Sequence, residues 1–167
     1  MKYDVRRLES CELEDAFKLA LRTFMEFEAP DYGLEGVNAF KKDIIENEEF
    51  KKACRNGDNR MWGAFDKDKL IGIFIMRGVS HICMVFTDKE YHRKGVATNI
   101  FKQLIKDVKK QNPEVKELTV NSSPYGKPFY YNMGFTATDD EKTINGIRFT
   151  PMVFDLSKYN EMAEKLD

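Results

Sequence analysis

The chain has 167 residues, a length that suits one domain with one sizeable core. Apolar residues make up 42% of it and charged residues 33%, and the charges nearly cancel to a net charge of -1. Proteins that bind nucleic acid through its phosphates usually carry a clear basic excess. The composition therefore argues against DNA or RNA as the main partner.

The cysteines and the apolar runs argue against zinc-binding, disulfide-rich, secreted and membrane proteins. Cys11, Cys54 and Cys83 are far apart and odd in number, which fits neither a zinc-ligand pattern nor a disulfide framework. Residues 1–7 lack the apolar core of a signal peptide, and the longest apolar runs, such as residues 70–76, are too short to cross a bilayer. We expect a cytoplasmic protein with no metal site and no membrane partner.

The first part of the chain predicts one strand followed by helices. Residues 3–8 are strand-like, and apolar residues then recur at helical spacing from Leu13 to Phe24. Pro30 should end this helix, because proline disfavours helical backbone in the residue before it. Residues 34–44 predict a second helix and residues 46–55 a further short one.

Three short apolar runs come next, at residues 61–65, 70–76 and 81–87. Their separators are short, which predicts antiparallel neighbours. The remaining predicted elements are a helix over residues 96–108, a strand over 117–121, a short helix within 124–133, and closing strands over 135–138 and 148–155.

Two details refine this order. Asn145-Gly146 is a favoured type I′ hairpin turn, and Pro151 predicts a bulge or an unpaired N–H in the last strand. The strand–helix–strand step from Val85 to Val120 should place two strands side by side in parallel. The fold class is therefore α/β (α+β mixed), with a central mixed, mostly antiparallel sheet and helices on both faces.

A glycine turn joins the third antiparallel strand to the long helix, at residues 92–98. Gly95 lets a ligand approach the backbone, and Ala97 keeps the next position small. The first N–H groups of a helix have no internal partners, and with the helix dipole they attract anions. Arg93 and Lys94 add positive charge, which makes a diphosphate the natural occupant. On its own, the pattern fits equally well a glycine that merely begins a helix.

Two segments resemble signatures of the GNAT N-acetyltransferase superfamily. Residues 85–97, VFTDKEYHRKGVA, are similar to its acetyl-CoA-binding motif, which ends in Gln/Arg-x-x-Gly-x-Gly/Ala. Residues 129–135, FYYNMGF, are similar to its Tyr-x-x-x-Gly-Phe signature. Their separation and the order of elements also fit the family. His92 departs from the pattern, since it stands where the family usually has Gln or Arg.

The resemblance implies acetyl-CoA as co-substrate, without a metal. Main-chain groups of Val85, Phe86 and Thr87 would hold the pantetheine arm and the thioester carbonyl. A further cofactor contact would come from Asn121 or Ser123. The residues that would hold the diphosphate are Arg93, Lys94, Gly95, Val96, Ala97 and Thr98.

The second signature also implies a catalytic acid. Tyr130 stands where the family often has the group that protonates the leaving thiolate, and a phenol can donate a proton while staying neutral at physiological pH. Tyr131 should point elsewhere on the helix. The alternative is that Tyr130 is only a core aromatic beside Phe129.

The base is predicted with less support. Some family members place a Glu or His base at the position of His81, and an imidazole can accept a proton directly or through water. On a regular strand His81, Cys83, Val85 and Thr87 would share one face. Alternatively, His81 simply begins the strand. We interpret Cys83 as a small buried apolar residue.

We therefore expect a single N-acetyltransferase domain over residues 1–167, with acceptor-side helices at about 12–55 and an acetyl-CoA-binding core at about 60–155. The loop at residues 26–35 is acidic and aromatic, which suits a cationic amine, although a solvated loop explains it as well. The expected reaction is acetyl transfer to a primary amine of a small molecule by direct attack in a ternary complex. Alternatives are a protein or peptide amine, or a non-catalytic acyl-CoA sensor. A homodimer is compatible with this interpretation.

Overall fold

The computed structural model describes residues 2–158, so the ends of the predicted 1–167 domain lie outside the described residues. The strands are β1 (Asp4–Arg7), β2 (Asn59–Asp66), β3 (Lys69–Arg77), β4 (His81–Thr87), β5 (Glu117–Ser122), β6 (Thr136–Ala137), β7 (Lys142–Ile144) and β8 (Ile147–Asp155). The helices are α1 (Leu13–Phe27), α2 (Gly33–Phe40), α3 (Glu48–Asn56), α4 (Val96–Gln111) and α5 (Lys127–Met133). A π-helical turn, Lys41–Ile45, continues α2.

All of the described strands belong to one sheet in the order β1-β2-β3-β4-β5-β8-β6, with β7 also paired to β8. The pair β4 and β5 is parallel and the other pairs are antiparallel. The predicted mixed, mostly antiparallel sheet is therefore confirmed, and so is the parallel step between β4 and β5. Among residues 2–158 no helix is both long and apolar enough to cross a membrane.

Each face of the sheet carries its own apolar core. The stripe of α4 packs on one face, where Phe101 and Leu104 are fully buried. The stripe of α1 packs on the other, with Phe17 and Phe24 in a cluster that also takes in α2 and α3. Each such side chain contributes about 1.5–3 kcal/mol through its removal from water. The two layers hold β4 between them, which fixes the position of the central strand.

The closing strands follow their local signals. Asn145 and Gly146 both have positive φ, +52° and +79°, as a type I′ turn requires. Pro151 causes no register shift against β5. It lies between Phe149, the last partner of β7, and Met152, the first partner of β6. The bulge, one of the two predicted outcomes, is absent at this position, where Pro151 pairs with Asn121 of β5 and its carbonyl accepts a hydrogen bond from Thr138 N at 2.9 Å.

A bulge in β4 corrects one sequence expectation. Met76 pairs with Ile82 and Ile75 with Met84, so Cys83 is an extra residue in β4. The bulge reverses the alternation of side chains along the strand. The prediction that His81, Cys83, Val85 and Thr87 share one face was therefore wrong. Cys83 packs in the cluster on the α1 side, whereas Ile82 and Val85 pack on the α4 side, so His81, next to Ile82, lies on the opposite face from Val85.

Candidate active site

Strands β4 and β5 separate beside the bulge. They pair only at His81 with Thr119 and at Ile82 with Val120, so the backbone of β4 from Cys83 onward is not paired with β5. A cavity of about 1000 Å³ opens at this point, and it is lined by β4, the start of α4 and the end of α1. Unpaired strand backbone inside a cavity supplies hydrogen-bonding groups for an extended ligand.

The glycine turn forms one end of the cavity. Gly95 has φ +78° and precedes α4, and its carbonyl accepts the first helical hydrogen bond, from Asn99 N at 3.0 Å. The N–H groups of the first turn therefore remain outside the helical pattern and can bind an anion. The predicted cofactor residues that line the cavity are Val85, Phe86, Thr87, Arg93, Gly95, Val96, Ala97, Thr98, Asn121 and Ser123.

Lys94 differs from its neighbours in the turn. It is exposed, and its ammonium lies over the ring of Tyr91, 5.4 Å from the centroid, rather than among the residues that line the cavity. Tyr91 itself lines the cavity, so the ammonium of Lys94 lies next to a cavity residue.

His92, the departure from the family pattern, ties the turn to the end of β4. Its Nε2 is 2.7 Å from the carbonyl oxygen of Thr87, which can only accept, so Nε2 carries the donated proton. The ring also lies 4.7 Å from the ring of Phe27, which in turn stacks on Tyr125 at 5.2 Å. The imidazole thus has a positioning role that joins the turn to α1.

Tyr130 is buried in α5, with 7% of its surface exposed, and it lines the cavity. Its ring contacts Phe129 and Phe135 at 5.2 and 5.3 Å. Burial, followed by the negative charge of Glu28, raises the pKa of the phenol, so it stays protonated at neutral pH. Tyr131 is 49% exposed on the same helix, so the two neighbouring tyrosines point in different directions.

His81 lies on the wall of the cavity at the point where β4 and β5 part. Its Nδ1 is 2.8 Å from the hydroxyl oxygen of Thr119. Burial, with a smaller effect from Arg77, lowers the pKa of the imidazole and keeps it neutral at neutral pH. The thiol of Cys83 donates to the carbonyl of Ile75 at 3.3 Å, and burial raises its pKa to about 12. A thiol held protonated in this way suits a packing residue, not a nucleophile.

Glu28 is the cavity residue that sequence reasoning missed. It ends α1, and its Oε1 accepts a hydrogen bond of 2.9 Å from the hydroxyl of Ser123. Burial raises the pKa of this carboxyl to about 7, while the bond from Ser123 acts in the opposite direction. The sequence predicted an acidic loop at residues 26–35, but nothing in it indicated which acid faces the cavity. In the structure Glu28 lines the cavity and Glu26 does not.

Comparison with known proteins agrees with this architecture. The model of the acetyltransferase (GNAT) domain family matches residues 28–156. An uncharacterized N-acetyltransferase of Escherichia coli K12, YafP, is 36% identical over 84 residues, which is 50% of this chain and 51% of that protein. The chain thus matches about half the length of this curated relative.

Several solved structures share the fold at low identity. The GCN5-related N-acetyltransferase of Rhodopseudomonas palustris has a TM-score of 0.78 at 20% identity, over 93% of this chain and 96% of that chain. The PaiA N-acetyltransferase of Thermoplasma acidophilum, in complex with coenzyme A, has 0.72 at 20%, over 93% and 99%. Mutant forms of the spermidine/spermine N-acetyltransferase SpeG of Vibrio cholerae have 0.65 at 16%, over 97% and 98%. With a family model that covers most of its length, this chain belongs to the GNAT family of N-acetyltransferases.

Proposed function

We propose that this chain transfers the acetyl group of acetyl-CoA to a primary amine of a small molecule, by direct attack in a ternary complex. The observation that carries the proposal is the continuity of one cavity. It joins the anion-binding turn at Gly95 to Tyr130, His81 and Glu28 at the opening between β4 and β5. The residues proposed for donor binding and for proton transfer therefore line one continuous cavity.

The donor half of the cavity fits the parts of acetyl-CoA. The N–H groups at the start of α4 and the guanidinium of Arg93 suit a diphosphate, and Asn121 lines the same space. The unpaired edge of β4 suits a pantetheine amide arm, with Val85, Phe86 and Thr87 on its wall. The coenzyme A bound to the T. acidophilum relative, which has the same fold, supports this choice of donor.

The chemistry requires one proton donor and one proton acceptor. The amine must lose protons, and the leaving thiolate must gain one. We assign the donor to Tyr130, whose hydroxyl has no hydrogen-bond partner among residues 2–158 and is kept neutral by burial. His81, the base predicted from the sequence, and Glu28 are the half-buried side chains of the cavity that can accept a proton from the amine.

The hairpin that narrows the acceptor side favours a small molecule over a protein amine. The β7–β8 hairpin packs against α2, and Ile144, Ile147 and Phe149 of the hairpin line the cavity. A peptide would need an open groove at this edge. The spermidine N-acetyltransferase among the structural neighbours acts on a small amine, which supports the same choice.

The proposal is tested with acetyl-CoA and a panel of small amines and lysine peptides, with the acetylated amine detected by mass spectrometry. Acetyl-CoA should raise the Tm, because a ligand that binds only the folded state stabilises it. One or more small amines should then be acetylated. No Tm shift at saturating acetyl-CoA would remove the donor assignment. A shift without acetylation of any amine would favour the sensor, and acetylation of peptides alone would favour the protein-amine alternative.

A further inference from the structure

Glu28 is a carboxylate in the cavity that lacks a cationic partner. Two other acids around the end of α1 are paired: Glu26 lies 2.9 Å from the ammonium of Lys89, and Asp88 lies 2.9 Å from the guanidinium of Arg22. Within residues 2–158, no lysine, arginine or histidine forms an ion pair with Glu28. Glu28 is half-buried, and a carboxylate that is partly removed from water is stabilised by a cation or by hydrogen-bond donors. The cavity beside Glu28 therefore offers a place where an ammonium group would be stabilised.

Ser123 fixes the direction of this carboxylate. The Ser123 Oγ accepts a hydrogen bond of 3.0 Å from the N–H of Gly126, so its own proton is free to go to Oε1 of Glu28. At the other end of the residue, the N–H of Glu28 bonds to the carbonyl of Phe24 at 2.9 Å. Main chain and side chain are therefore both held, and Oε2 receives no hydrogen bond from the described residues.

The surroundings of Glu28 supply negative charge and neutral acids, not a counter-cation. Asp31 raises the pKa of Glu28 through repulsion. Arg148 donates to the main-chain oxygen of Asp31 and is paired with Glu141, so its charge is already engaged. Asp31, Tyr32 and Tyr130 interact electrostatically with Glu28. The other titratable residues that line the same cavity are Asp43, Arg77, His81, Cys83, Tyr91, His92, Arg93 and Tyr125.

We propose that Glu28 binds the ammonium group of the acceptor and takes its proton before attack, with Ser123 as the positioning residue. The inference rests on the proposed acetyl transfer and deepens it, because it names the proton acceptor and the charge of the substrate. The substrate class is a primary amine that is protonated in solution. The base then comes from the end of α1, and not from β4, where the sequence placed it at His81.

The protons and bonds balance in this assignment. One N–H bond of the ammonium breaks and its proton goes to the carboxylate of Glu28. The free lone pair of nitrogen forms the C–N bond with the acetyl carbonyl carbon, and the C–S bond breaks. The sulfur takes the proton of Tyr130, and the second proton that nitrogen loses on becoming an amide restores the phenol. Glu28 finally releases one proton to water.

The charge state of Glu28 affects the acidity of Tyr130, and this coupling favours both proton transfers. The pKa of Glu28, raised to about 7, suits a base that works near neutral pH. After burial, the negative charge of Glu28 is the next cause that raises the pKa of Tyr130. Protonation of Glu28 removes that charge, so the transfer that frees the amine also makes Tyr130 a stronger acid for the leaving sulfur.

The first test compares Glu28→Gln with Glu26→Gln, an exposed acid on the last turn of α1. Because aromatic side chains such as Phe24 and Phe40 line the cavity, the probes are 2-phenylethylamine and its 2,2-difluoro analogue, which has nearly the same shape but a much lower pKa. Glu28→Gln should lower kcat/KM for 2-phenylethylamine about 100-fold or more, because this ammonium must lose a proton before attack. The loss for the difluoro analogue should be less than about tenfold, because this amine binds in its neutral form. Equal losses on both amines would overturn the inference, as would an unchanged kcat/KM.

The pH profile gives a second test. A carboxylic acid cannot accept a proton, so kcat/KM of the wild-type protein should fall as the pH drops below about 7, the pKa of Glu28. Glu28→Gln should remove that limb and Glu26→Gln should keep it. If the decrease in kcat/KM at low pH persisted in Glu28→Gln and disappeared in His81→Gln, the base would be His81 and the inference would be overturned.

A binding measurement separates this inference from the proposed function. Calorimetry of 2-phenylethylamine with the protein saturated in coenzyme A requires no turnover. Glu26→Gln should bind it as the wild-type protein does, while Glu28→Gln should lose about tenfold or more in affinity. If no amine is acetylated but this difference is found, acetyl transfer fails and the ammonium site stands. Equal affinity of Glu28→Gln and the wild-type protein contradicts the ammonium site itself.

Discussion

Gly36 in α2 and Gly146 in the turn between β7 and β8 are in direct backbone contact. A Cβ atom on Gly146 would lie 2.5 Å from the nitrogen of Gly36, and one on Gly36 would overlap the carbonyl oxygen of Gly146. The absence of both side chains lets the hairpin lie against the helix. Ile144 and Ile147 of the hairpin and Phe40 of α2 then line the same cavity, so this contact shapes the acceptor side.

Gly36→Ala should weaken the binding of the amine. Helix propensity alone would favour Ala in α2 by about 0.5–1 kcal/mol, but the new methyl group has no room unless the hairpin moves. We expect the KM for the amine to rise about tenfold or more, while the Tm shift produced by acetyl-CoA stays the same. Asn38→Ala, on the exposed side of the same helix, is the control. An unchanged KM in Gly36→Ala would show that the hairpin does not shape the acceptor site.

Gly95→Ala should weaken the binding of acetyl-CoA. The nearest atom to a new Cβ is Asn99 Nδ2 at 3.8 Å, so the cost is conformational: a φ of +78° disfavours a side chain by about 1 kcal/mol. Relief of that strain would turn the N–H groups of the first turn of α4. We expect the Kd for acetyl-CoA, measured by calorimetry, to rise about five- to tenfold.

The matched control for Gly95 is Gly57→Ala, because Gly57 has φ +89° at the end of α3 and has open space around it. Both variants should lose a similar amount of unfolding free energy. Only Gly95→Ala should lose affinity for acetyl-CoA. An equal Kd in the two variants would contradict a backbone role for Gly95 in binding the diphosphate.

The sequence predicted the features whose signals are local. The apolar stripe of α4, the glycine before it and the Asn145-Gly146 turn each lie within one short segment, and each was found where predicted. The order of elements followed from the same signals. The donor half of the cavity is built from these segments, which is why its residues could be named from the sequence.

The acceptor half depends on contacts between distant segments. The hydrogen bond between Ser123 and Glu28 joins residues 95 positions apart, and nothing near Glu28 in the sequence distinguishes it from Glu26. The bulge at Cys83 depends on how β3 pairs with β4, so a rule of strict alternation misplaced His81 relative to Val85. Both errors have one cause: tertiary pairing decides which side of an element a residue faces.

Tyr130→Phe should lower turnover and leave donor binding unchanged. The variant keeps the ring and its contacts with Phe129 and Phe135 and removes only the hydroxyl. The loss of a general acid should reduce kcat by about ten- to a thousandfold, with an unchanged Tm shift in acetyl-CoA. Tyr131→Phe, whose hydroxyl belongs to a side chain that is 49% exposed, should retain full activity. Full turnover by Tyr130→Phe on a good acceptor would exclude Tyr130 as the acid.

Asp88→Ala should destabilise the protein and weaken the binding of acetyl-CoA. Asp88 is 7% exposed, and its carboxylate accepts bonds from Glu90 N at 3.2 Å and Arg22 at 2.9 Å. Those contacts fix the chain between β4 and the glycine turn, and Lys69 adds an ion pair at 3.7 Å.

Urea denaturation of Asp88→Ala should show a loss of about 0.5–2 kcal/mol, because the helical turn at residues 89–91 loses the side chain that caps it through the N–H of Glu90. Arg22 and Lys69 are about half exposed and regain water, so their loss of a partner contributes less. Asp68→Ala, at an exposed turn, is the control and should change stability by less than about 0.5 kcal/mol. If Asp88→Ala lost no more than the control, these contacts would not fix the turn, and the Kd for acetyl-CoA should then also remain unchanged.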